Sequence, residues 1–453
     1  MPIFALLAAL ILLTGPSSQP KVIYGTYLGG RNKDIAAALT IDSVGNAWVV
    51  GSTPSPDFPV TRGAFKTEAS VNNDDSVGFA TKLNTEGNNF LYSTFLGGSW
   101  RSSANAIAVD SSGVVIVGST CSPDFPVTEN ALQRRPGGGG QGLDPCDGYV
   151  VKLDGPGSRV IYATYFGGPD ADTVNSVAID NQGRAVVAGW TRSQNLFGTT
   201  GRGASDAFVA ALAADGSLLW IKRFGGSGAD WFASLAVARD GTIWATGVTD
   251  SPDFRCDRRL SGTGGFVIRI VPGKAATCLG LAGEPTAIAL DVEGRAYVCG
   301  SVVLAGRRTG FVAKLSSEHV DWYTHVGGSD ETRISGITAG LPGSVIVCGS
   351  SYSRDFPVTR GALKHYPGEG SDMVLLRLSA TGDRVVYGTF LGGNAASDIA
   401  PLNNTAVAVQ ADSAGSVWIA GNAIGHPAWI TPHAAQRRNH GNTDTFVLKL
   451  KML

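Results

Sequence analysis

The stretch Tyr92-Ser93-Thr94-Phe95-Leu96-Gly97-Gly98 recurs along the chain, and its reading decides the fold. Close copies occupy residues 24–30, 162–168 and 387–393, and looser ones residues 220–226 and 322–328. A decayed seventh copy ends near Gly283, without the aromatic and without the glycine pair. Aromatic and β-branched residues in alternation signal a strand, and the glycine pair signals a turn.

Three more phrases travel with this one, which is labelled d. Phrase a is an apolar strand closed by a turn, as in Ile41-Asp42-Ser43-Val44-Gly45-Asn46. Phrase b follows at once, as in Ala47-Trp48-Val49-Val50-Gly51-Ser52-Thr53. Phrase c is Gly78-Phe79-Ala80-Thr81-Lys82-Leu83 and its relatives, such as residues 148–153 and 310–315. Helical spacing is nowhere sustained, so the unit reads as a four-stranded antiparallel meander. Phrases a, b and c each occur seven times, and so does d, but the first d precedes every a and the last c has no d after it. Pairing the d at residues 22–30 with the c at residues 445–450 closes a ring and leaves no orphan sheet edge. The expectation is an all-β, seven-bladed β-propeller of four-stranded antiparallel blades, closed by an N-terminal outer strand. The blades span about residues 31–98, 99–168, 169–226, 227–283, 284–328, 329–393, and 394–453 with 21–30.

Composition agrees with a globular repeat array. Apolar residues make up 43% and charged residues 16% of 453, and the 61 glycines fall mostly at fixed places in the repeat. Net charge is −1 with no dense basic run, which argues against a nucleic-acid partner. Residues 1–13 are apolar but too short for a bilayer-spanning helix. The small, helix-breaking run Thr14-Gly15-Pro16-Ser17-Ser18 follows, so residues 1–19 read as a signal peptide, though with no Lys or Arg ahead of the apolar run. The expected mature chain is one propeller over residues 20–453 with no transmembrane segment, a monomer that is secreted, periplasmic or at the cell surface.

The phrases Gly-Ser-Thr-x-Ser-Pro-Asp-Phe-Pro-Val-Thr (from Gly51 and, with Cys121 at the variable place, Gly118), Phe-Val-x-Lys-Leu (from Phe311) and Tyr-x-Thr-Tyr-Leu-Gly-Gly (from Tyr24, with Gly25 and Thr26 following) resemble the bacterial β-propeller repeat called SBBP. The resemblance covers nearly all of residues 21–453 and implies the propeller fold, export and a bacterial cell surface. It brings no catalytic motif. The insert between b and c is complete at residues 55–61, 122–128 and 353–359, truncated at 251–254, and replaced at 193–200. Between Ser301 and Gly310 it is almost absent.

In such a meander the d–a and b–c connections share one end of the blade, and these are the long, variable ones. That face and the channel mouth are where a site is expected. Candidate ligand-binding residues there are Asp34, Asp172 and Asp230 after the glycine pairs, and Trp100 and Trp231. A ring of the aspartates would bind a cation or sugar, against the plainer reading that each caps its own turn. The tryptophans would stack on sugar or anchor a protein, against packing beneath the loops. Cys121 with Cys146, and Cys256 with Cys278, are candidate disulfides, whereas Cys299 and Cys348 read as buried small hydrophobes. No HExxH, GxSxG or P-loop occurs, and His426, His433 and His440 beside Arg437 and Arg438 lack informative ligand spacing. No cofactor is expected, and Ca2+ has no specific motif behind it. The expected function is a non-enzymatic binding or scaffold propeller for a glycan or surface protein. Alternatives are a polysaccharide hydrolase or lyase using loop carboxylates, and a purely structural surface element.

Overall fold

A computed structural model describes residues 12–13, 19–69, 75–138, 146–154, 159–257, 264–317, 319–339, 343–368, 370–392, 404–412, 414–424, 429–441 and 443–452. Apart from Leu12, Leu13 and Gln19, the expected signal peptide lies outside these residues, as does His426. Seven antiparallel four-stranded blades form the ring. Their strands a to d are Ile35–Ile41, Ala47–Thr53, Val77–Leu83 and Phe90–Leu96 in blade 1, and Ser102–Asp110, Gly113–Thr120, Asp147–Leu153 and Val160–Phe166 in blade 2. Blade 3 has Asp172–Ile179, Ala185–Thr191, Asp206–Leu212 and Leu218–Phe224; blade 4 has Asp230–Val237, Ile243–Thr249, Gly265–Ile270 and Thr277–Leu281. Blade 5 has Glu284–Leu290, Ala296–Leu304, Arg307–Leu315 and Val320–Val326; blade 6 has Thr332–Thr338, Ser344–Ser351, Asp372–Ser379 and Arg384–Phe390.

Blade 7 is the seam. Its strands a, b and c are Thr405–Ala411, Ser416–Ala423 and Asp444–Lys451, and its d is Lys21–Leu28. Lys21 lies opposite Lys451 and Leu28 opposite Thr445, as the offset of the first d phrase requires. Leu12–Leu13 adds a short parallel pairing to strand d of blade 6, at Arg384 and Val385.

Strands a touch one another round the ring and so line the channel, which puts strands d outermost. Strand-a side chains stitch neighbouring blades together. Asn105 Nδ2 donates to the Val174 carbonyl at 3.1 Å and Asn175 Nδ2 to the Phe232 carbonyl at 2.9 Å. The apolar layers lie between blades. Trp48 and Tyr92 of blade 1, for example, share a layer with Ile116 and Tyr149 of blade 2. Phe58 and Phe125 of the Pro-Asp-Phe inserts cap two such layers and are buried.

The glycine pair of phrase d is fixed by close approach. A Cβ on Gly97 would lie 2.6 Å from Val77 Cγ2, and one on Gly98 would lie 2.2 Å from Asp124 Oδ1. Any larger residue would force the d–a turn off the insert beneath it.

The b–c inserts are more than loops on the expected face. In blades 1, 2, 6 and 7 each insert runs on as a strap along the free edge of its own strand d. Thr61, Thr128, Thr359 and Thr431 donate backbone N–H bonds of 2.9–3.0 Å to the carbonyls of Ser93, Ala163, Gly388 and Gly25. Further on, Phe95, Tyr165, Phe390 and Tyr27 donate to the carbonyls of Lys66, Gln133, Lys364 and Gln436. The buried hydroxyls of Thr94, Thr164, Thr389 and Thr26 accept from the same four strap residues, at 2.8–3.1 Å. The outer edge of a blade is a liability in any β array, and here the chain covers it with itself.

Blades 3, 4 and 5 solve the edge differently. In blade 3 the insert is a hairpin, Asn195–Leu196 with Thr199–Thr200, held by Arg223 Nη1 to the Ser193 carbonyl at 2.9 Å. In blade 4 the Cys256–Cys278 disulfide ties the insert to strand d, and Asp257 accepts the Cys278 N–H at 2.9 Å. In blade 5 strands b and c simply extend to a tight turn at Ala305 and Gly306, both with positive φ (48° and 79°).

Candidate functional site

Each aspartate expected to face a ligand is sealed inside the loop face. Asp34, Asp172 and Asp230 are at most 1% exposed. Asp34 accepts the Gly30 N–H at 2.6 Å and the Ser55 hydroxyl at 3.2 Å. Asp172 takes Gly168 N–H and the Ser193 hydroxyl, and Asp230 takes Gly226 N–H and the Ser251 hydroxyl. The row is not sevenfold either, because Ser102 and Thr332 hold the same register in blades 2 and 6 and pair hydroxyl to hydroxyl with Thr120 and Ser351, each at 2.8 Å. Burial pushes the Asp34 carboxyl up to about 6, against the hydrogen bonds from Thr53 and Gly30 that lower it. Burial raises Asp172 and Asp230 in the same way. Through Oδ2 these residues hold the d–a turn to the insert, while Oδ1 of each is buried without a hydrogen-bond partner among the described residues.

The insert aspartates complete that clasp. Ser99 and Ser329 donate both N–H and hydroxyl to Asp124 and Asp355, at 2.8–2.9 Å. Asp253 is held below the usual carboxylate range by the Ser227 N–H and hydroxyl. The sequence pattern Ser-x-Asp of the inserts therefore reads as a two-point clamp on the turn that enters each blade.

A second buried set was not anticipated. Asp147, Asp206, Asp372 and Asp444 open strand c in blades 2, 3, 6 and 7, and all are at most 2% exposed. Their partners differ from blade to blade. Asp147 takes Gly137 N–H at 2.6 Å, Asp206 pairs with Arg223 at 2.7 Å, Asp372 with Lys364 at 2.8 Å, and Asp444 takes Gln436 Nε2 at 3.1 Å. Burial pushes Asp147 up to about 7, with the Gly137 N–H opposing and Asp172 adding to the rise. The signal was present in the sequence as an acid two residues before the c-strand aromatic, or directly before Met373-Val374, but it sat among other turn-forming acids.

The tryptophans divide. Trp100 is 54% exposed, on a loop pinned from both sides by Ser122. The Trp100 N–H donates to Ser122 Oγ at 2.9 Å, and that hydroxyl donates back to the Trp100 carbonyl at 2.6 Å. The adjacent Cys121–Cys146 disulfide stiffens the same corner, and the Arg101 guanidinium lies over its sulfurs. Trp231 lies on strand a of blade 4 beside Asp230, partly exposed. The two are on different elements and form no joint site. Trp48, Trp244 and Trp418 are buried in strands b. Cys299 and Cys348 are buried and unpaired.

Among the described residues no three His, Cys, Asp or Glu side chains converge as a metal group. One concavity of about 490 Å³ is lined by Gln436, Arg437, Arg438 and His440, and two others lie on opposite faces. One of about 370 Å³ opens on the loop face between blades 3 and 4, lined by Arg202, Arg223, Asp253 and Arg255. A larger one of about 690 Å³ lies on the opposite, tight-turn face between blades 4 and 5.

Residues 23–59 and 161–198 match the SBBP β-propeller repeat. The chain is a seven-bladed β-propeller, two segments of which match that repeat. No curated protein matches it. Among solved structures it is similar to the Neurospora crassa Pan2 WD40 domain, at 9% identity over 96% of this chain and 98% of that one, with a TM-score of 0.48. It is also similar to YCF48 bound to D1 peptide, at 9% identity over 98% of both chains and TM-score 0.48. Chaetomium thermophilum Sqt1 resembles it at 11% identity, over 95% and 98%, with TM-score 0.48. A propeller of such repeats suggests a binding or scaffold role.

Proposed function

We propose that this chain is an exported, monomeric, non-enzymatic binding propeller that recognises a glycan or a protein through its loop-rich face. The observation behind this reading is Trp100. An indole more than half exposed costs solvation, yet its loop is clamped by Ser122 and a disulfide, so it is held out rather than left loose. Exposed, preorganised aromatics of this kind anchor sugar rings and protein hot spots. The Arg202 and Arg255 concavity on the same face adds polar contacts. The two disulfides support an oxidising compartment. The loop carboxylates are engaged in clasps, which supports binding over hydrolysis.

The test is a printed glycan array read with the wild type, Trp100→Ala and Trp231→Ala, alongside a photo-crosslinker at position 100 presented to cell-surface proteins. Binding that falls at least about tenfold in Trp100→Ala supports the reading. If no glycan binds and nothing crosslinks, the reading fails.

A further inference from the structure

Strand c carries a basic residue at one register in six blades: Lys82, Lys152, Arg269, Lys314, Arg377 and Lys449. The residue opposite it on strand d is aromatic in every blade but the fourth, where it is Thr277. That aromatic has a job. The c–d turn of the next blade rests on it, so closely that a Cβ on Gly87, Gly216 or Gly382 would come within 2.3–2.7 Å of Tyr24, Tyr162 or Trp322. In blade 4 no ring fills the place. A cavity of about 290 Å³ lies there, with Trp244 and Arg269 as its wall and Asp257, Thr277, Ser316 and Ser317 round it. Blade 3 has one of about 280 Å³ at the same register, but Trp220 forms part of its wall. It shares Trp244, Arg269 and the two serines with the wider concavity of about 690 Å³.

Stacking on the strand-b ring is common to Lys82, Lys449 and Arg269, at 5.3, 4.7 and 5.4 Å, but their polar partners differ. Lys82 pairs with Asp42 at 3.1 Å, Lys152 donates to the Gly183 carbonyl at 3.0 Å, Arg377 to Ser344 Oγ at 2.9 Å and Lys449 to the Thr85 carbonyl at 3.2 Å. Lys314 has the Tyr297 ring at 5.8 Å. The Arg269 guanidinium sits over the Trp244 ring at 5.4 Å, and its buried Nε has no hydrogen-bond partner among the described residues. A stacked guanidinium whose buried Nε lacks an acceptor, beside a cavity to which strand d brings no ring, is a recognition feature.

We propose that this groove binds a hexuronate, a sugar ring bearing one carboxylate. The ring takes the place of the absent aromatic, its carboxylate meets Arg269, and its hydroxyls meet Asp257, Ser316 and Ser317. The charges round the groove balance, Arg239, Arg269 and Arg295 against Asp240, Asp291 and Glu293, which suits one carboxylate better than a dianion. Asp240, Asp291 and Glu293 border the wider part, and the last two already hold Arg295, each at 2.6 Å. Phosphate would meet acids on several sides, whereas a sugar turns neutral hydroxyls towards them. The site is on the tight-turn face and goes beyond the loop-face reading.

Isothermal titration of the full chain with D-glucuronate tests this, with D-glucose and benzoate as controls. Glucuronate should bind at least about tenfold more tightly than glucose, the worth of one charged hydrogen bond. Arg269→Gln should lose that margin. Thr277→Tyr restores the ring of the sister blades. It should abolish binding while the melting temperature stays at or above that of the wild type, which separates loss of site from loss of fold. Glucuronate binding no tighter than glucose, benzoate binding tighter than glucuronate, or a Thr277→Tyr protein that binds like the wild type would each overturn the proposal. The groove shares no lining residue with the loop-face concavity, so failure here leaves the loop-face reading standing.

Discussion

Blades 1, 2, 6 and 7 wear a strap, and blades 3, 4 and 5 do not. The difference is visible in their outer strands. In Phe90–Leu96 of blade 1 the last five residues are buried, whereas in Leu218–Phe224 of blade 3 none is. Besides the shorter inserts of blades 3, 4 and 5, one strand-d residue goes with the difference. The strand-d position under the strap is Gly25, Ser93, Ala163 or Gly388 in the strapped blades, and Ile221, Cys278 or Tyr323 in the others. A Cβ on Gly25 would lie 2.1 Å from the Trp429 carbonyl oxygen, and one on Gly388 would lie 2.0 Å from that of Pro357. A small residue admits the strap and a large one excludes it. An outer strand's own sequence thus records whether its edge is covered from within the blade.

The comparison can be broken most severely at the seam, where a strap and strand c hold Lys21–Leu28 from both sides. Deleting residues 21–28 should abolish cooperative melting of the whole ring, followed by calorimetry; an unchanged melting temperature would sink the seam. Next comes the unstrapped blade 3. Arg223→Ala leaves Asp206 buried without its cation, for a loss of about 3–5 kcal/mol in urea unfolding. A smaller effect is expected from Gly388→Val, which pushes the strap off blade 6 at a cost of about 1–3 kcal/mol and opens residues 357–364 to limited proteolysis. The mirror change in blade 5, Tyr323→Gly, should create no such cleavage site, since no strap is there to release.

The gentlest test uses pH. Burial puts the Asp147 carboxyl at about 7, above its unfolded value of about 3.9. The folded state then binds that proton more tightly. Its contribution is fully present below the unfolded value and is lost as pH rises through the folded one, so stability falls between about pH 4 and 7. Asp147→Asn removes this slope, and the variant's melting temperature relative to the wild type should climb by a few degrees over that range. A flat difference would mean that Asp147 is solvated after all.

The ring was legible because its signals are local and repeated. Four strand phrases, their turns and the offset of the first d strand were enough to fix blade number and closure. The straps were not read, although Tyr-Ser-Thr, Tyr-Ala-Thr and Tyr-Gly-Thr spell their footing, because an insert rich in Pro, Asp and Thr looks like any surface loop until its hydrogen bonds are placed. For the same reason Asp34, Asp172 and Asp230 could be read as ligands. An acid after a glycine pair has the same sequence whether it faces water or its own backbone, and only the Ser-x-Asp clamp from the following insert decides. The groove beside Arg269 left a faint mark, the missing aromatic of the decayed d phrase. Its meaning depends on a turn of the next blade, which no single repeat contains.

The strap on blade 7 has a consequence for how the ring comes to exist. Thr26 and Gln436 are 410 positions apart, and the Thr26 hydroxyl donates to the Gln436 carbonyl and accepts the Gln436 N–H. Every other blade can assemble its four strands from one continuous segment, by short-range zipping. Blade 7 must wait until a segment made early in synthesis meets one made late, across a loop as long as nearly the whole protein. Closing that loop carries the largest entropic cost of any pairing here. During synthesis the ring is an open arc with Lys21–Leu28 unpaired, and that strand is the part most in need of protection from other chains until its partner arrives.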